Sequence, residues 1–375
     1  MAHAYTPGLK VLKHSKVRKD RRLPIKGEVC KKEGDMVQAD DIVARTNLPG
    51  NVHMVKVANR LNISPADIHD VLTVEEGDKV NKGDRIAQTD GLFGFFKSDL
   101  MSPVSGEIES ISDVTGQIVM REAPIPVEVD AYVSGVVSNI IEQEGVTVES
   151  NAAYVQGIFG IGGEARGSLC VISSERGNEL SLEDINESHE GKIIVGGSFI
   201  GIDAYKKALE LNVGGIVVGG FNYYDLEEVL GYTLGVAITG TEDLVTSLIV
   251  TEGYGNIEMS ERTFDLLKEN NGKFVSINGA TQIRAGVIRP EIVIPLEDVE
   301  KNTDGDLRPE QLGIKEGSLV RVIRSPFFGK IGRVDSLPAE LQQMESETMV
   351  RVAKVRVDDE VVVIPRSNLE MLETD

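Results

Sequence analysis

The N-terminal part of this sequence contains two turn patterns that each occur twice, and this duplication restricts the folds that the region can adopt. The first pattern is KEGDMV at 32–37 with DIVA at 41–44, and it returns as EEGDKV at 75–80 with GDRIA at 83–87. The second pattern is PVSGEI at 103–108, which returns as YVSGVV at 132–137. Each copy is typical of a short strand, a turn that needs a residue tolerating positive φ, and another strand. We therefore predict a β-rich region in which two pseudo-symmetric halves close one barrel-like sandwich.

The second copy of the first pattern carries the most specific family resemblance. Residues 74–87, followed by 102–108, resemble the biotinyl/lipoyl-type barrel-sandwich hybrid. In that family the two half-motifs flank a hairpin whose tip carries an acylated lysine, at a fixed distance before the proline of the Ser-Pro pair. Phe95 stands at that position here, and Lys97 lies two residues further on. The resemblance therefore implies the fold without its swinging arm.

The tip of this predicted hairpin, GLFGFFK at 91–97, is apolar. Burying one phenylalanine yields roughly 1.5–3 kcal/mol, so the rings either fold back onto the body or dock a partner. Non-acylated relatives of this fold occur in peripheral subunits of ion-pumping redox complexes and in RNA polymerase insertions, and the resemblance alone does not choose between these settings. The candidate partner-binding residues are Phe93, Phe95, Phe96 and Lys97.

From about residue 190 the rhythm changes to alternating strands and helices, which predicts an α/β layer with mainly parallel strands. The predicted strands are 192–195, 215–218 and 236–238, and the predicted helices are 203–211, 225–230, 242–250 and 261–269. Ser260 is the expected N-cap of the last helix.

Glycine turns follow three of the predicted middle strands and form a candidate ligand site. Ligands of open parallel sheets bind at the carboxyl ends of the strands, where helix N-termini and backbone N–H groups converge. The candidate residues are Gly197, Ser198, Gly220, Thr239, Gly240 and Thr241, with Arg284 and Arg289 in the polar segment 278–291 as candidate anion-binding residues. Ordinary strand-to-helix turns and packing between domains explain the same residues without a ligand.

Residues 317–334 resemble the KOW motif of transcription-elongation and ribosomal proteins. The shared features are an alternating Val/Ile strand, a Pro-Phe pair, and Gly-x-x-Gly before a second strand. The resemblance implies an SH3-like barrel, for which the sequence predicts strands at 319–324, 331–335, 350–357 and 361–364. The candidate residues for binding RNA or a protein partner are Arg321, Arg324, Phe327, Phe328, Lys330 and Arg333. The alternative is a structural barrel that buries its phenylalanines and leaves its arginines solvated or paired with the acids at 358–360.

Charge is unevenly distributed along the chain. The net charge is −21, but residues 1–32 contain ten Lys/Arg and two acids, so this segment is +8 and the remainder is −29. A basic segment of this kind contacts nucleic acid, an acidic partner, or the acidic body of its own protein. The overall acidity argues against broad nonspecific binding of duplexes, which needs a concentrated positive surface.

The sequence contains none of the common catalytic or metal-binding motifs. Cys30 and Cys170 lie far apart, and the five histidines show no metal-ligand spacing. The phosphate-loop, Gly-x-Ser-x-Gly and His-Glu-x-x-His patterns are absent. No apolar run is long enough to span a membrane, and the N-terminus lacks the apolar core of a signal peptide. We therefore expect no catalytic residue, metal, cofactor or membrane span, and a cytoplasmic location.

Together these features predict a multidomain α+β protein. We expect a β-rich barrel-sandwich hybrid with a basic N-terminal arm at 1–175, a small α/β domain with a mainly parallel sheet at 185–295, and an SH3-like KOW barrel at 312–375. The predicted function is a non-catalytic adaptor that binds a protein partner, and RNA as a second class of partner, through its β modules. Two alternatives stay open: an enzyme or enzyme subunit with a small-molecule site at the Gly-rich strand ends, and a cofactor-less accessory subunit of a membrane redox complex.

Overall fold

The N-terminal half of the protein consists mainly of short strands. The computed structural model describes residues 9–89, 97–231, 239–240, 242, 244–282, 288–296, 314, 316–322, 327, 330–338, 341–343, 349–357 and 360–371. The first strands are β1 (Val11–Arg22), β2 (Glu28–Val29), β3 (Met36–Val37), β4 (Ile42–Leu48), β5 (Val52–Val55), β6 (Lys79–Val80), β7 (Arg85–Gln88), β8 (Asp99–Met101), β9 (Gly106–Ser112), β10 (Gln117–Arg121), β11 (Ile125–Asp130), β12 (Gly135–Ile141) and β13 (Gly145–Gln156). Two short helices, α1 (Val57–Leu61) and α2 (Ile68–Val71), follow β5, with a 3-10 turn at Pro65–Asp67 between them.

The two copies of the repeated pattern build two separate modules. The outer module is formed by β1–β4 and β11–β13 around a core that includes Val37, Val43, Val133, Val137 and Val148. The inner module is formed by β5–β10 with α1 and α2 around a core that includes Val80, Ile86, Ile108, Ile118 and Met120. The prediction that the repeats close a single barrel is wrong, because each copy buries its own set of apolar residues.

Equivalent hydrogen bonds show that the two modules share one local plan. β3 pairs with the start of β12 as β6 pairs with the start of β9, and both pairs are antiparallel. The carboxylates of Asp35 and Asp78 each accept a hydrogen bond of 2.8 Å from the backbone N–H three residues earlier. Gly34 and Gly77 have φ near +90°, and each N–H donates at 2.8 Å to a carbonyl of the following sheet. The repeated Gly-Asp turns are therefore conformational requirements of both modules.

The inner module is inserted at the tip of a hairpin of the outer module. β4 and β11 pair antiparallel from Ile42 and Asp130 to Leu48 and Ile125, and the inner module lies between them in the chain. The β7–β8 hairpin is the matching element of the inner module. Thus the outer module carries a whole second module where the inner module has residues 89–98.

Within the described residues, the basic N-terminal segment contains a long strand that is paired with the body of the protein. β1 pairs with β13 antiparallel from Val11 and Val155 to Arg22 and Gly145. Its side chains form ion pairs with the body: Lys13 with Glu269, Lys16 and Arg18 with Glu149, Lys19 with Glu291, Arg21 with Asp130 and Glu164, and Arg22 with Glu144. The basic side chains of β1 therefore contact the acidic surface of their own protein, which is one of the three kinds of partner expected for a basic segment.

The middle region is an α/β layer. Its strands are β14 (Phe159–Ile161), β15 (Glu164–Val171), β16 (Glu179–Leu180), β17 (Ile193–Val195), β18 (Phe199–Ile200), β19 (Gly215–Phe221), β20 (Ser247–Tyr254), β21 (Phe274–Asn278) and β22 (Glu291–Pro295). Its helices are α3 (Ile202–Glu210), α4 (Tyr223–Leu230) and α5 (Glu261–Glu269), with a 3-10 turn at Glu187–His189. β15, β17, β19 and β20 are neighbours in that order and pair in parallel. One core lies on the α3 and α4 side of this sheet, and a second core lies on the α5 side.

Most predicted elements of this region are present, and one is wrong. α5 begins where predicted, and the Ser260 hydroxyl accepts a hydrogen bond from the Thr263 N–H. Residues 242–250 are predicted to be helical, but the strand β20 begins at Ser247 and is buried up to Gly253. A short apolar run fits a buried helix and a buried strand equally well, so periodicity could not decide. The predicted strand 236–238 lies outside the described residues.

The middle sheet is continuous with the outer module. β13 pairs with β12 through its first half and with β22 through its second half. β15 likewise pairs with β17 at its end and with β21 at its start. Backbone hydrogen bonds therefore join the outer module to the middle region in one sheet of thirteen strands.

The C-terminal region is a small β unit with its own core. Its strands are β23 (Leu319–Val322), β24 (Ile331–Ser336), β25 (Leu341–Gln343), β26 (Met349–Val357), β27 (Glu360–Pro365) and β28 (Leu369–Met371), with a 3-10 turn at Arg366–Asn368. They pair in the order β25-β26-β24-β23-β28, and β27 pairs with β26. The core includes Val320, Val322, Val334, Val355, Ile364 and Leu369. The predicted strands therefore correspond to β23, β24, β26 and β27.

Candidate functional site

The outer surface of the C-terminal sheet carries a row of basic side chains. Successive residues of a strand point to opposite faces of the sheet. On β24 and β26, Val334 and Val355 point into the core, while Arg333, Lys354 and Arg356 are exposed. We call these three residues the basic face.

The charges of the basic face lie close together and have few acidic partners. Arg333 and Arg356 are directly opposite each other on neighbouring strands. Arg356 pairs with Asp335 at 2.9 Å, whereas Arg333 donates to the carbonyl oxygen of Gly317 at 3.3 Å. Within the described part of the chain, Arg333 and Lys354 have no carboxylate partner. Like charges in opposed positions destabilise a sheet. An anionic partner would therefore reduce the repulsion between Arg333 and Arg356.

Lys354 and Arg356 are functional candidates that the predicted site does not include. They lie on β26, beyond the KOW-like stretch, and join Arg333 only through strand pairing. Arg351, also exposed, lies further along β26 opposite Leu341. The signal in the sequence is RVAKVRV at 351–357, where basic residues alternate with apolar ones at strand spacing.

Arg321 has a different role from the predicted one. Its guanidinium pairs with the carboxylate of Glu252 on β20 at 2.8 Å, and both side chains are only 4% exposed. It also donates to the carbonyl oxygen of Thr251 at 3.2 Å. The second carboxylate oxygen of Glu252 accepts the N–H of Ser260 at 2.9 Å. Arg321 is therefore not part of a binding surface. Its buried ion pair attaches the C-terminal unit to the middle region.

The other predicted binding residues of the KOW-like stretch differ in how far they are exposed. Phe327 is half-buried and packs against the C-terminal core, as expected for the alternative of a structural barrel. Lys330 and Arg333 are exposed. Arg324 and Phe328 lie outside the described residues.

The predicted hairpin tip is described only at its edge. Phe93, Phe95 and Phe96 lie outside the described residues, and Lys97 is exposed. Thr89 and Ser98 close the base of this hairpin, since the Thr89 N–H donates to the Ser98 carbonyl at 3.0 Å.

The predicted glycine site is divided between the two edges of the parallel sheet. Gly197, Ser198 and Gly220 lie at the carboxyl edge, where a side chain on Gly197 would meet three backbone carbonyl oxygens and one on Gly220 would meet the carbonyl of Gly255. The Ser198 hydroxyl donates to the carbonyl of Gly177 at 2.9 Å. These glycines therefore permit close backbone packing, and the carbonyl oxygens around them would repel an anionic ligand.

Thr239 and Gly240 lie instead near the amino end of β20. The Thr239 hydroxyl donates to the carbonyl of Gly160 at 2.7 Å. The N–H groups of Gly162 and Gly240 both donate to one carboxylate oxygen of Glu242, at 3.0 and 2.6 Å. An internal carboxylate therefore occupies the anion-binding position. The separation arises because the chain crosses to the amino edge before it enters β20, where a helix is predicted. Thr241 and Arg284 lie outside the described residues, and Arg289 is half-buried.

A buried polar network fills the seam between the outer module and the middle region. The carboxylate of Glu291 on β22 contacts Lys19 Nζ at 2.5 and 2.6 Å and accepts the hydroxyls of Tyr132 and Tyr154 at 3.2 and 2.8 Å. Burial, reinforced by the charge of Glu291, raises the pKa of both tyrosines, so both hydroxyls stay protonated and donate. Arg166 continues the seam by pairing with Asp130 at 2.5 Å. The network satisfies its own buried groups, which is the property of a structural seam.

The described residues contain no group of three or more His, Cys, Asp or Glu side chains placed to hold a metal ion. Across the same residues, no helix combines the length and the apolar character needed to cross a membrane. No protein-family model matches this chain, and comparison with curated proteins finds no match.

Proposed function

We propose that this protein is a non-catalytic adaptor that binds RNA through its basic face and holds that face in a fixed position relative to its other modules. In this proposal the outer and inner modules are barrel-sandwich hybrids, and the C-terminal unit is a KOW-type barrel. Both cysteines are free thiols, a state typical of the cytoplasm, where we place the protein.

The opposed pair of Arg333 and Arg356 is the observation that carries the proposal. On β1 each arginine forms an ion pair with a carboxylate, whereas Arg333 on the basic face has no carboxylate partner within the described residues. Phosphate groups along an RNA strand instead supply repeated negative charge at the spacing of neighbouring side chains, and arginine contacts them in a bidentate manner. The KOW-like sequence of β23 and β24 fits RNA or a protein partner, and the choice of RNA in this proposal depends on the charge of the basic face.

The adaptor role is supported by how the modules are joined. The outer module shares a sheet with the middle region, and the Arg321–Glu252 pair fixes the C-terminal unit to the same region. A chain whose modules are fused through buried contacts presents its binding surfaces at fixed distances from one another.

The test is titration of a fluorescent single-stranded oligonucleotide with the full chain and with the double variant Arg333→Glu/Arg356→Glu. We expect the variant to bind at least about tenfold more weakly. The log–log slope of its affinity against salt should fall by roughly 1.4, because each phosphate that is no longer neutralised removes about 0.7 from that slope. Arg333→Gln/Arg356→Gln tests the same two side chains without adding negative charge.

The matched control is Lys32→Glu/Lys82→Glu, which makes the same change of net charge at exposed turn lysines of the outer and inner modules. If this control weakens RNA binding as much as the basic-face variant does, the attraction is nonspecific and the proposal fails. Tighter binding of polyglutamate than of RNA would reassign the basic face to an acidic protein.

The alternative of a small-molecule enzyme site loses its main support, because its predicted residues lie at opposite edges of the sheet. For the accessory subunit of a redox complex, the described residues offer no observation in its favour.

A further inference from the structure

Four aromatic rings form a connected row at the carboxyl edge of the parallel sheet. Phe159 contacts Tyr254 with ring centroids 5.4 Å apart, Tyr254 contacts Tyr223 at 5.2 Å, and Tyr223 contacts Tyr224 at 5.9 Å. Phe159 is buried at 4% exposure, whereas Tyr224 at the other end is 82% exposed. The row therefore extends from the core into solvent, and we call Tyr223, Tyr224 and Tyr254 the tyrosine platform.

The platform is preorganised by the start of α4. Asn222 caps this helix by accepting the Tyr224 N–H at 3.1 Å, and its side-chain amide donates to Asp225 at 3.0 Å. The two rings at the first helical positions are held nearly perpendicular, with an interplanar angle of 78°. Rigid aromatic side chains that are already ordered lose little conformational freedom when they bind a partner.

The charge around the platform is negative, which decides what kind of partner fits. Residues three and four apart on a helix are neighbours, so Glu227 and Glu228 lie beside Tyr224 on α4. Burial, followed by the charges of Glu228 and Asp203, raises the pKa of Asp225. Lys206 forms an ion pair with Glu228, and the described residues of α4 remain acidic overall. RNA phosphates would be repelled here, whereas a cation would relieve the repulsion among the carboxylates.

We propose that the tyrosine platform and the acidic residues of α4 form a docking site for an arginine-bearing segment of a protein partner. A guanidinium stacks on the exposed face of a tyrosine ring, and its N–H groups reach a neighbouring carboxylate in the same plane. The acidic residues alone would attract any cation, and the rings alone would fit any planar group. Their combination on one helical turn selects arginine.

The docking site is connected to the C-terminal unit through β20. Tyr254 is two residues beyond Glu252 on β20, and Glu252 holds Arg321 of the C-terminal unit. The docking site does not depend on RNA binding, since its residues and its charge are different.

The chain contains no tryptophan, so Tyr224→Trp creates a single fluorescent reporter within the site. We expect a capped Arg-Gly repeat peptide to change its emission in a saturable way at low salt. The matching Lys-Gly peptide should bind several-fold more weakly because an ammonium does not stack as a guanidinium does. A neutral Gly-Ser peptide should give no change. Phe274→Trp, at an exposed position on β21, should not respond to any of the peptides.

Calorimetry with the unmodified chain and with Tyr224→Ala gives the second measurement. Since Tyr224 is largely exposed, the variant should unfold at the same temperature and bind the Arg-Gly peptide about tenfold more weakly. Glu227→Gln/Glu228→Gln should also weaken binding, whereas Glu33→Gln/Glu75→Gln, at exposed turn positions, should not.

Equal losses of affinity in the two glutamate pairs would mean general charge attraction and would overturn the proposal. An emission change with oligouridine in place of the peptide would show base stacking and would also overturn it. Absence of saturable binding of the Arg-Gly peptide would likewise overturn the proposal. None of these results bears on the basic-face variants, so the two proposals can fail separately.

Discussion

Two regions of this molecule are basic, and they use their charges in opposite ways. β1 carries the densest positive charge in the sequence, and six of its basic side chains pair with carboxylates on β13, β15, β22, α5 and nearby turns. The C-terminal basic face has fewer charges, and two of its three side chains have no carboxylate partner within the described residues. The pairing of a positive charge, and not its density in the sequence, shows whether it is available to a partner.

The same contrast appears inside the C-terminal unit. Arg321 and Arg333 lie on neighbouring strands of one sheet, yet Arg321 is buried against Glu252 and Arg333 is exposed. Substitutions should therefore distinguish charges that stabilise the fold from charges that are available to a partner. The expected effects on stability are given below, beginning with the largest.

The largest effect is expected at Arg321. Arg321→Met leaves the Glu252 carboxylate buried without its partner, which should lower the free energy of unfolding by about 3–5 kcal/mol. Arg321→Met/Glu252→Leu should recover much of this loss, because no unpaired charge then remains. Urea denaturation of the parent, the two single variants and the double variant measures the coupling. If both single variants are as stable as the parent, the pair does not fix the C-terminal unit.

A smaller loss is expected at Lys19 on β1. Glu291 keeps its two tyrosine hydroxyls when Lys19 is replaced, so Lys19→Met should cost about 1.5–3 kcal/mol, the range for one hydrogen bond to a charged group. Lys13→Met, whose partner Glu269 is 55% exposed, should change stability by less than about 1 kcal/mol. Thermal unfolding of both variants checks the order. RNA affinity should be unaltered in each, since both charges are paired internally.

On the basic face, a substitution is expected to increase the free energy of unfolding. Arg333→Thr removes one of two opposed arginines and places a β-branched residue on a strand, which should stabilise the fold by roughly 0.2–1 kcal/mol. The same variant should bind RNA more weakly. Stability from urea denaturation and affinity from oligonucleotide titration should therefore move in opposite directions. A loss of both would mean that Arg333 is structural, as Arg321 is.

Local chemistry made part of this architecture predictable. The Gly-Asp turns identified the duplicated strands, and Ser260 identified the start of α5, because turn and cap requirements are carried by single residues. The nesting of one module in a hairpin of the other was not predictable, since strand pairing between β4 and β11 joins residues on either side of a long insertion.

The candidate sites depended even more on distant contacts. The KOW-like stretch led to Arg333 but also to Arg321, whose burial is decided by Glu252 in another part of the chain. Lys354 and Arg356 became candidates only through the pairing of β24 with β26. The tyrosine platform joins β20 and α4, which periodicity within one segment cannot bring together.

The last effect depends on pH and concerns the paired charges of β1. Hydrogen bonds from Lys16 and Arg18 lower the pKa of Glu149 below its ordinary value of 4.5. A carboxylate with a lowered pKa in the folded state stabilises fully above its unfolded pKa, and this contribution disappears as the pH falls through the folded pKa. Glu149→Gln should therefore be less stable than the parent at pH 7, by roughly 0.2–1 kcal/mol for each partly exposed pair, and the difference should shrink below about pH 4.5. Urea midpoints at pH 7 and pH 3 measure the change, with Glu33→Gln as a control at an exposed turn. A difference that is the same at both pH values would show that the pairing of β1 with β13 depends on backbone hydrogen bonds and packing alone.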